Sequence, residues 1–474
     1  MPPTIKFGTD GWRGIIAEDF TFDNVRACAQ GVANYLLDHG IASQGLLVGY
    51  DTRFASEDFA AAVAEVVAAN GIRVFLNPKA APTPVISYAI VAKGAAGGVI
   101  ITASHNPAIW NGFKYKPEYG GSASPEVVAE LESHIQQILS GGEIKRLLLA
   151  DGLEQGLIEY YDPRPIYLSH IAELVDLGRI RQAGLKIAVD SMYGSGAGYF
   201  KELLSGGTTE VIEINAERNP LFPGIQPEPI AQNLTRLSAM VREVKADVGL
   251  ATDGDADRIG PLDENGTFIT PLQVFALLAL YFLETRGERG ALVKTITATD
   301  MLYRLGDLFS VPVYETAVGF KYVGPLMIAE NALIGGEESG GFGFRGHIPE
   351  RDGILSGLYL LDLMVGMNKK PSELIEYLYD KVGPHYYERT DFHFPSEERE
   401  AIIQRLEQLR PSRIDNAEVT NIDTFDGFRF RLSDGSWLLI RLSGTEPLLR
   451  IYAESDSIAH VERLLEAARK LVGI

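Results

Sequence analysis

Three stretches of the chain repeat one rhythm of apolar and polar positions: an apolar run, a polar turn, an amphipathic segment, a second apolar run. The first is Leu46 to Tyr50, a helical pattern near Ser56 to Ala69, then Arg73 to Leu76. The second is Lys186 to Val189, a glycine-bearing turn and helix, then Glu210 to Ile214. The third is Ala291 to Lys294, a helix from about Thr299, then Val311 to Tyr314. Short apolar runs bounded by turn residues predict buried strands, and each copy reads as a βαβ-like unit. Three related α/β domains in tandem are therefore expected.

The C-terminal part follows another pattern. Phe428 to Leu432 and Trp437 to Leu442 flank Ser433-Asp434-Gly435-Ser436, a hairpin signal. Leu449 to Ala453 predicts a third strand, and Ile458 to Leu471 a closing amphipathic helix. The fold class is α/β: three tandem related α/β domains plus a smaller C-terminal α+β domain. Turn chemistry places the expected boundaries at 1–160, 161–263, 264–384 and 385–474.

Bulk properties narrow the function. At 474 residues the chain exceeds what one core supports. Its net charge of −20 disfavours nucleic acid and anionic membrane as partners. Cys28 is the single cysteine and cannot form an internal disulfide, which with no recognisable secretory leader suggests a cytoplasmic protein. The longest apolar run, Leu272 to Leu283, is too short to span a bilayer and predicts a core helix. Such an acidic chain would also repel phosphorylated metabolites, so a phosphate-ester site would have to concentrate cations locally.

Five segments carry most of the candidate chemistry. Thr102-Ala103-Ser104-His105-Asn106-Pro107 follows the apolar run Gly98 to Ile101, with Lys114 ten residues beyond Ser104. A strand-end hydroxyl beside an imidazole, with an ammonium nearby, suits transfer of a phosphoryl or acyl group. A serine turn before Asn-Pro is the plainer reading of the same residues.

Asp253-Gly254-Asp255-Ala256-Asp257-Arg258 follows the apolar run Val248 to Ala251. Three carboxylates turned to one point repel unless a hard cation such as Mg²⁺ lies between them. An EF-hand loop would need glycine where Arg258 stands. A phosphatase using Asp253 itself as nucleophile is a further reading.

Arg441-Leu442-Ser443-Gly444-Thr445-Glu446-Pro447, with Arg450 beyond, combines guanidinium, hydroxyls and exposed amides suited to a dianionic phosphate. Gly335-Gly336-Glu337-Glu338-Ser339-Gly340-Gly341 offers acceptors for sugar hydroxyls. It is followed by His347-Ile348-Pro349-Glu350-Arg351-Asp352-Gly353. The near-terminal loop Phe7 to Gly14 presents Arg13. By contrast, Gly194 to Gly198 lacks the full dinucleotide fingerprint and is expected to be a structural turn.

Taken together, the FGTDGWRG, TASHNP, DGDADR, GEESGG and RLSGTEP segments, in that order from Phe7 to Arg450, resemble the α-D-phosphohexomutase family. The resemblance implies four domains around a central cleft, and a phosphosugar substrate. Ser104 resembles the phosphorylated serine. Asp253, Asp255 and Asp257 resemble the Mg²⁺ ligands, completed by an oxygen on Ser104. Arg13, His105, Lys114 and Arg258 match charged residues around the reacting phosphoryl group, with His105 and Lys114 as candidates for proton transfer. Glu337 and Ser339 match the sugar grip; Arg441, Ser443, Gly444 and Thr445 match the loop for the non-reacting phosphate, with Arg450 beside it. Lys321, in Val318-Gly319-Phe320-Lys321, and Arg351 fall in stretches that look like phosphoglucomutases, and are expected at the substrate. Amino-sugar mutases usually carry Gln where Glu338 stands, and many phosphomannomutases carry His where Gly341 stands.

The implied activity is interconversion of glucose 1-phosphate and glucose 6-phosphate, with glucose 1,6-bisphosphate as intermediate and activator. A phosphomannomutase or dual-specificity mutase, a hexose-1,6-bisphosphate synthase that releases the intermediate, and a non-catalytic sugar-phosphate binder are the alternatives.

Overall fold

The computed structural model describes residues 5–443 and 447–473. The three repeats fold as three α/β units that share a strand order. In the first, Val74–Leu76, Leu46–Tyr50, Gly97–Ile101 and Trp110–Pro117 lie side by side. The first three are parallel and the fourth is antiparallel. Trp12–Ile15 and Ile158–Tyr160 extend this sheet at its two edges.

The second unit repeats the order with Glu210–Ile214, Lys186–Asp190, Val248–Thr252 and antiparallel Ile259–Leu262. The third does so with Val313–Thr316, Leu292–Thr295, Ile334–Gly336 and antiparallel Phe342–Phe344. Pattern and structure thus agree on three related α/β units. The predicted strands Leu46 to Tyr50 and Glu210 to Ile214 and the helix Ser56–Ala69 are found as expected. In the third unit the helix begins at Met301, two residues later than read from the pattern.

Shared topology has a functional consequence. The three candidate loops at 102–109, 253–258 and 337–341 all connect the third strand of a unit to its antiparallel fourth. One position in the repeat, used three times, supplies Ser104, the three aspartates and the Glu337–Ser339 loop. It lies past the carboxyl ends of parallel strands, where open α/β sheets place ligands.

The long apolar run becomes the helix Pro271–Leu280, ending in a π turn over Tyr281–Thr285. Thr270 and Gln273 cap its start reciprocally, satisfying two otherwise orphaned amides. With the apolar helix Gly353–Met367 it enters a core that crosses unit boundaries. Val85, Ile86 and Ile90 of the first unit join Ile187, Val189 and Leu250 of the second and Phe275, Leu277 and Leu358 of the third. Among the described residues no helix is long and apolar enough to cross a membrane.

The C-terminal unit is a six-stranded antiparallel sheet with the helix Ile458–Val472 against it. The predicted hairpin Phe428–Leu432 and Trp437–Leu442 lies at its centre, beside Leu448–Ser455. The strands Tyr386–His393, Arg413–Ile414 and Ala417–Asp423 and the helix Arg399–Gln408 were not legible in the pattern. Tyr386–His393 and Ala417–Asp423 are mostly polar and only partly buried, so they lack the alternation that marks a half-buried strand.

Candidate active site

Ser104 follows the buried strand Gly97–Ile101 in the left-handed region, with φ of 52°. That conformation is costly for a residue with a Cβ and persists where surroundings impose it. It leads the hydroxyl into the second unit, where Ser104 Oγ donates to Asp253 Oδ2 at 2.8 Å. His105 Nδ1 lies 3.3 Å from the same oxygen. Gly254 permits this approach, because a Cβ there would sit 2.4 Å from the Ser104 carbonyl oxygen.

Asp253, Asp255 and Asp257 are buried, with one oxygen from each falling within 4.8 Å of the others. Their surroundings are unequal. Asp255 Oδ2 accepts from Thr83 Oγ1 at 2.6 Å and from Lys114 Nζ at 2.9 Å. Burial opposes its ionisation, but Lys114 and Thr83 outweigh burial and hold its carboxyl below the usual range. For Asp253, burial and the neighbouring Asp257 and Asp255 push the carboxyl well up. Asp255 Oδ1 and Asp257 Oδ1 are buried without a hydrogen-bond donor, and Asp257 Oδ2 has only ion-pair neighbours, Arg351 and Lys114. Orphaned carboxylate oxygens facing one point are the donor set of a hard divalent cation, so these residues fit Mg²⁺. The strand before the loop and Arg258 in place of glycine exclude an EF-hand geometry. The glycine-bearing turn after Asp190 buttresses this loop, with Ser195 N donating to Gly254 O at 3.0 Å, as a structural turn should.

Cations surround the corner. Lys114, on the strand Trp110–Pro117, is 1% exposed and lies 2.7 Å from Asp10, 2.9 Å from Asp255 and 3.6 Å from Asp257. Burial disfavours its charge, yet the three carboxylates outweigh it and raise the ammonium pKa further. Lys114 is therefore a fixed cation. Burial, with Arg258 and Arg13 nearby, pushes the His105 imidazole well below its ordinary pKa, so it is neutral. Of the two proton-transfer candidates, only His105 carries a free lone pair. Arg13 donates to Asn106 Oδ1 at 2.5 Å, beside the serine loop, and Arg258 Nη1 lies 3.4 Å from Glu228.

Glu337 is buried in the third loop, 3.8 Å from Arg351. Burial raises its carboxyl pKa to about 7. Ser339 is half-buried beside it, and Ile259 N donates to Gly340 O at 3.1 Å, joining this loop to the strand after the carboxylate loop. Arg351 has partners that the sequence did not indicate. The sequence expects it at the substrate; in the structure its guanidinium lies 2.7 Å from Asp10, 2.9 Å from Asp257, 3.1 Å from Glu350 and 3.8 Å from Glu337. It therefore braces these carboxylates. It also explains Gly341, since a Cβ at that position would meet Arg351 Cδ at 2.3 Å and leaves no room for a larger side chain.

A second group lies on the C-terminal unit. Arg441 and Arg450 are direct partners on antiparallel strands, like charges side by side, an arrangement suited to an anion between them. Arg441 Nε donates to Asp426 at 3.0 Å, and Arg450 lies 3.8 Å from Asp391. Ser443 N donates to Leu448 O at 2.8 Å. Gly444 and Thr445 lie outside the described residues. Asp426 also accepts from Val318 N at 2.8 Å, next to half-buried Lys321, and Arg389 donates to Glu338 at 2.9 Å. These bonds tie the C-terminal unit to the third α/β unit.

Several residues at the site were missed or quoted without a role. Asp10 gathers Lys114, Lys116 and Arg351, and Lys116 pairs in turn with buried Glu350. Thr83 opens the helix Thr83–Lys93 and reaches across to Asp255. Asp51 and Arg53 lie just past the strand Leu46–Tyr50. A strand-end position was the available signal for the last pair, and it was the one that singled out Ser104.

Comparison with known proteins agrees with this geometry. Four family profiles match in order: phosphoglucomutase/phosphomannomutase alpha/beta/alpha domain I over 4–141, domain II over 165–266, domain III over 270–382, and the C-terminal domain over 397–471. A phosphoglucomutase/phosphomannomutase of Thermococcus kodakarensis is 32% identical over 466 residues, 98% of each chain. A Methanothermobacter thermautotrophicus protein named "Probable phosphoglucosamine mutase" is 33% identical, covering 98% of this chain and 96% of its own. A Thermus thermophilus crystal structure from the phosphomannomutase group matches at 35% identity over all of both chains, with a TM-score of 0.87.

Proposed function

The chain belongs to the phosphoglucomutase/phosphomannomutase family, and we propose that it interconverts glucose 1-phosphate and glucose 6-phosphate through phosphorylated Ser104. The observation that carries this reading is the Ser104 hydroxyl, 2.8 Å from Asp253 at the corner of three buried carboxylates and beside a fixed ammonium. A hydroxyl so placed suits a phosphoryl shuttle. A non-catalytic binder would have no use for it.

In the forward direction the bond between phosphorus and Ser104 Oγ breaks as one forms to O6 of glucose 1-phosphate, giving glucose 1,6-bisphosphate. O6 loses its proton as its bond to phosphorus forms, and Ser104 Oγ gains one as its own bond breaks. His105, 3.3 Å from Oγ, is placed to handle the proton at the serine oxygen. In the return step Oγ gives up that proton and O1 takes one. The bisphosphate turns over, Ser104 recovers a phosphoryl group from O1, and glucose 6-phosphate leaves. Lys114 holds positive charge at the transferring group, where positioning and electrostatics supply most of the catalysis. Mg²⁺ held by Asp253, Asp255, Asp257 and a phosphoserine oxygen would offset charge on the phosphoryl oxygens. Glu337 accepts from sugar hydroxyls, while Arg441, Arg450 and Ser443 hold the phosphate that is not reacting.

Glucose over mannose or glucosamine is supported by Glu338 and Gly341, the latter crowded by Arg351. The test is Ser104→Ala assayed with glucose, mannose and glucosamine 1-phosphates, alongside intact mass of the unaltered protein. Loss of at least about a thousandfold in kcat is expected, with one phosphate on the unaltered chain and fastest turnover of glucose 1-phosphate. Undiminished turnover in Ser104→Ala sinks the phosphoserine reading, and a faster rate with another sugar sinks the glucose assignment.

A further inference from the structure

Arg53 is the largest charged side chain with no exposure at all, and it touches neither the three carboxylates nor the reacting oxygen. Burying a guanidinium is costly unless every donor finds an acceptor. Here both Nη atoms bond to carbonyls of the serine loop and the residue that ends it, while Nε makes no hydrogen bond and faces Asp51 as an ion pair. Nη2 donates to the carbonyls of Ser104 and Asn106, each at 2.6 Å. Nη1 donates to those of Pro107 at 2.9 Å and Trp110 at 3.0 Å. One planar fork thus gathers four carbonyls spread along the turn that carries the hydroxyl.

The other side of the same residue is tied to the same device. Ser104 N donates to Thr102 Oγ1 at 2.9 Å, and Thr102 Oγ1 donates to Asp51 Oδ2 at 2.6 Å. Asp51 Oδ2 lies 3.2 Å from Arg53 Nε, and Asp51 Oδ1 accepts from Arg53 N and Ser56 Oγ. Both backbone polar groups of Ser104 therefore end on one buried ion pair. Such over-determination is what a left-handed φ on a non-glycine residue requires.

The pair is also registered against the carboxylate-bearing unit. The Phe222 ring lies 5.0 Å from Arg53 Cζ, and Arg218 donates to the carbonyls of Thr52 at 3.3 Å and Arg53 at 3.4 Å. Gln226 Nε2 donates to His105 O at 3.1 Å. A shift of Arg53 would move the hydroxyl relative to Asp253, across a unit boundary.

We propose that Arg53, backed by Asp51, is a positioning residue that aims the Ser104 hydroxyl at the carboxylate corner. The inference rests on the reading of Ser104 as the phosphoryl carrier. It acts through loop geometry, so it governs the chemical step and leaves the grip on the sugar and the distal phosphate intact. Lysine keeps the charge but lacks the planar fork, and can serve only part of the four carbonyls.

The test uses the full chain with Arg53→Lys and, separately, the near-isosteric Thr102→Val. Melting temperature, kcat and KM for glucose 1-phosphate with Mg²⁺ and glucose 1,6-bisphosphate are measured for each. Intact mass follows Ser104 phosphorylation by the bisphosphate. Arg53→Lys is expected to lower kcat by about a hundredfold, the scale of an ångström-sized misplacement, with KM within about threefold. Thr102→Val should lower kcat by about tenfold at nearly unchanged melting temperature. Phosphoserine formation should slow in parallel in both. Should Arg53→Lys fail to fold, Thr102→Val decides alone.

A kcat within about threefold of the unaltered protein, or a loss confined to KM, overturns the proposal. With the unaltered protein still taking up phosphate on Ser104, that outcome overturns only the Arg53 inference. An active Ser104→Ala overturns the reading beneath it.

Discussion

The α/β units share a continuous apolar core, with buried ion pairs confined to the site between them, whereas the C-terminal unit meets the third unit chiefly through charges. Val85, Ile187, Leu250, Phe275 and Leu277 belong to one continuous core. Across the other junction, Arg429 makes two bonds of 2.6 Å to Glu315, Arg431 donates to Asp300 at 2.8 Å, and Asp300 N donates to Glu454 at 2.9 Å. One small apolar patch, Ile296 against Trp437, Leu439 and Tyr452, accompanies them. Burial opposes ionisation of Asp300, but Lys294 and Arg431 hold its carboxyl down at about 2, so the junction stays charged through the physiological range.

The difference follows from what each junction must do. Apolar surface has no good partner in water, so a shared core resists separation. Charged pairs exchange protein partners for water at small net cost, so such a junction can open and close. The serine and carboxylate loops sit on the first two units, which share that core, and the distance between them is held by packing. Arg441 and Arg450 sit on the unit whose junction is held by such pairs, an arrangement that would suit the proposed reaction, in which a bound phosphosugar must turn over.

The contrast breaks most visibly at the core. Leu277→Ala should destabilise the three-unit block by about 2–5 kcal/mol. Calorimetry should show the main transition moving down while the C-terminal unit's melting is little affected; equal shifts in both would dissolve the distinction. Next comes Arg429→Ala at the charged junction. It should cost the junction about 1–2 kcal/mol, discounted because Glu315 and Asp423 keep some access to water once the buried guanidinium is gone, with melting of the block unchanged. Amide exchange in Leu448–Ser455 should quicken and KM should rise several-fold, whereas unaltered exchange would mean that the pairs do not hold the unit.

The smallest effect concerns the loop facing both regions. With its carboxyl pKa raised to about 7, Glu337 passes from mostly ionised at pH 8 to mostly protonated at pH 6, losing an acceptor for sugar hydroxyls. KM should therefore rise by up to about tenfold on the acid side, and Glu337→Gln should flatten that limb. The stability contribution has the opposite sign. A raised carboxyl pKa favours the fold fully below the ordinary value of 4.5, and that share is lost as pH rises through 7. A KM profile that survives Glu337→Gln would place the titration elsewhere.

Much of the site was legible because its chemistry lies in short contiguous runs. Ser104, His105 and the three aspartates could be singled out by residue type and strand-end position alone. The carboxylate partners of Arg351 were not legible this way, since residue type near a glycine-rich loop does not say that a guanidinium meets Asp10 and Asp257. Tyr386–His393 was missed because an edge strand with a polar, half-exposed face carries no apolar alternation.

From its residues alone, then, this chain determined three repeats, a distinct C-terminal unit and the chemical kinds of its loops, because periodicity and strand-end chemistry are local. Tertiary structure decided that one topological position serves all three α/β loops, that Gly254 lets the serine reach Asp253, and that Lys114 is pinned as a cation while His105 stays neutral. Those facts depend on charges and backbones brought together from distant parts of the chain, and no local pattern encodes a distance between them.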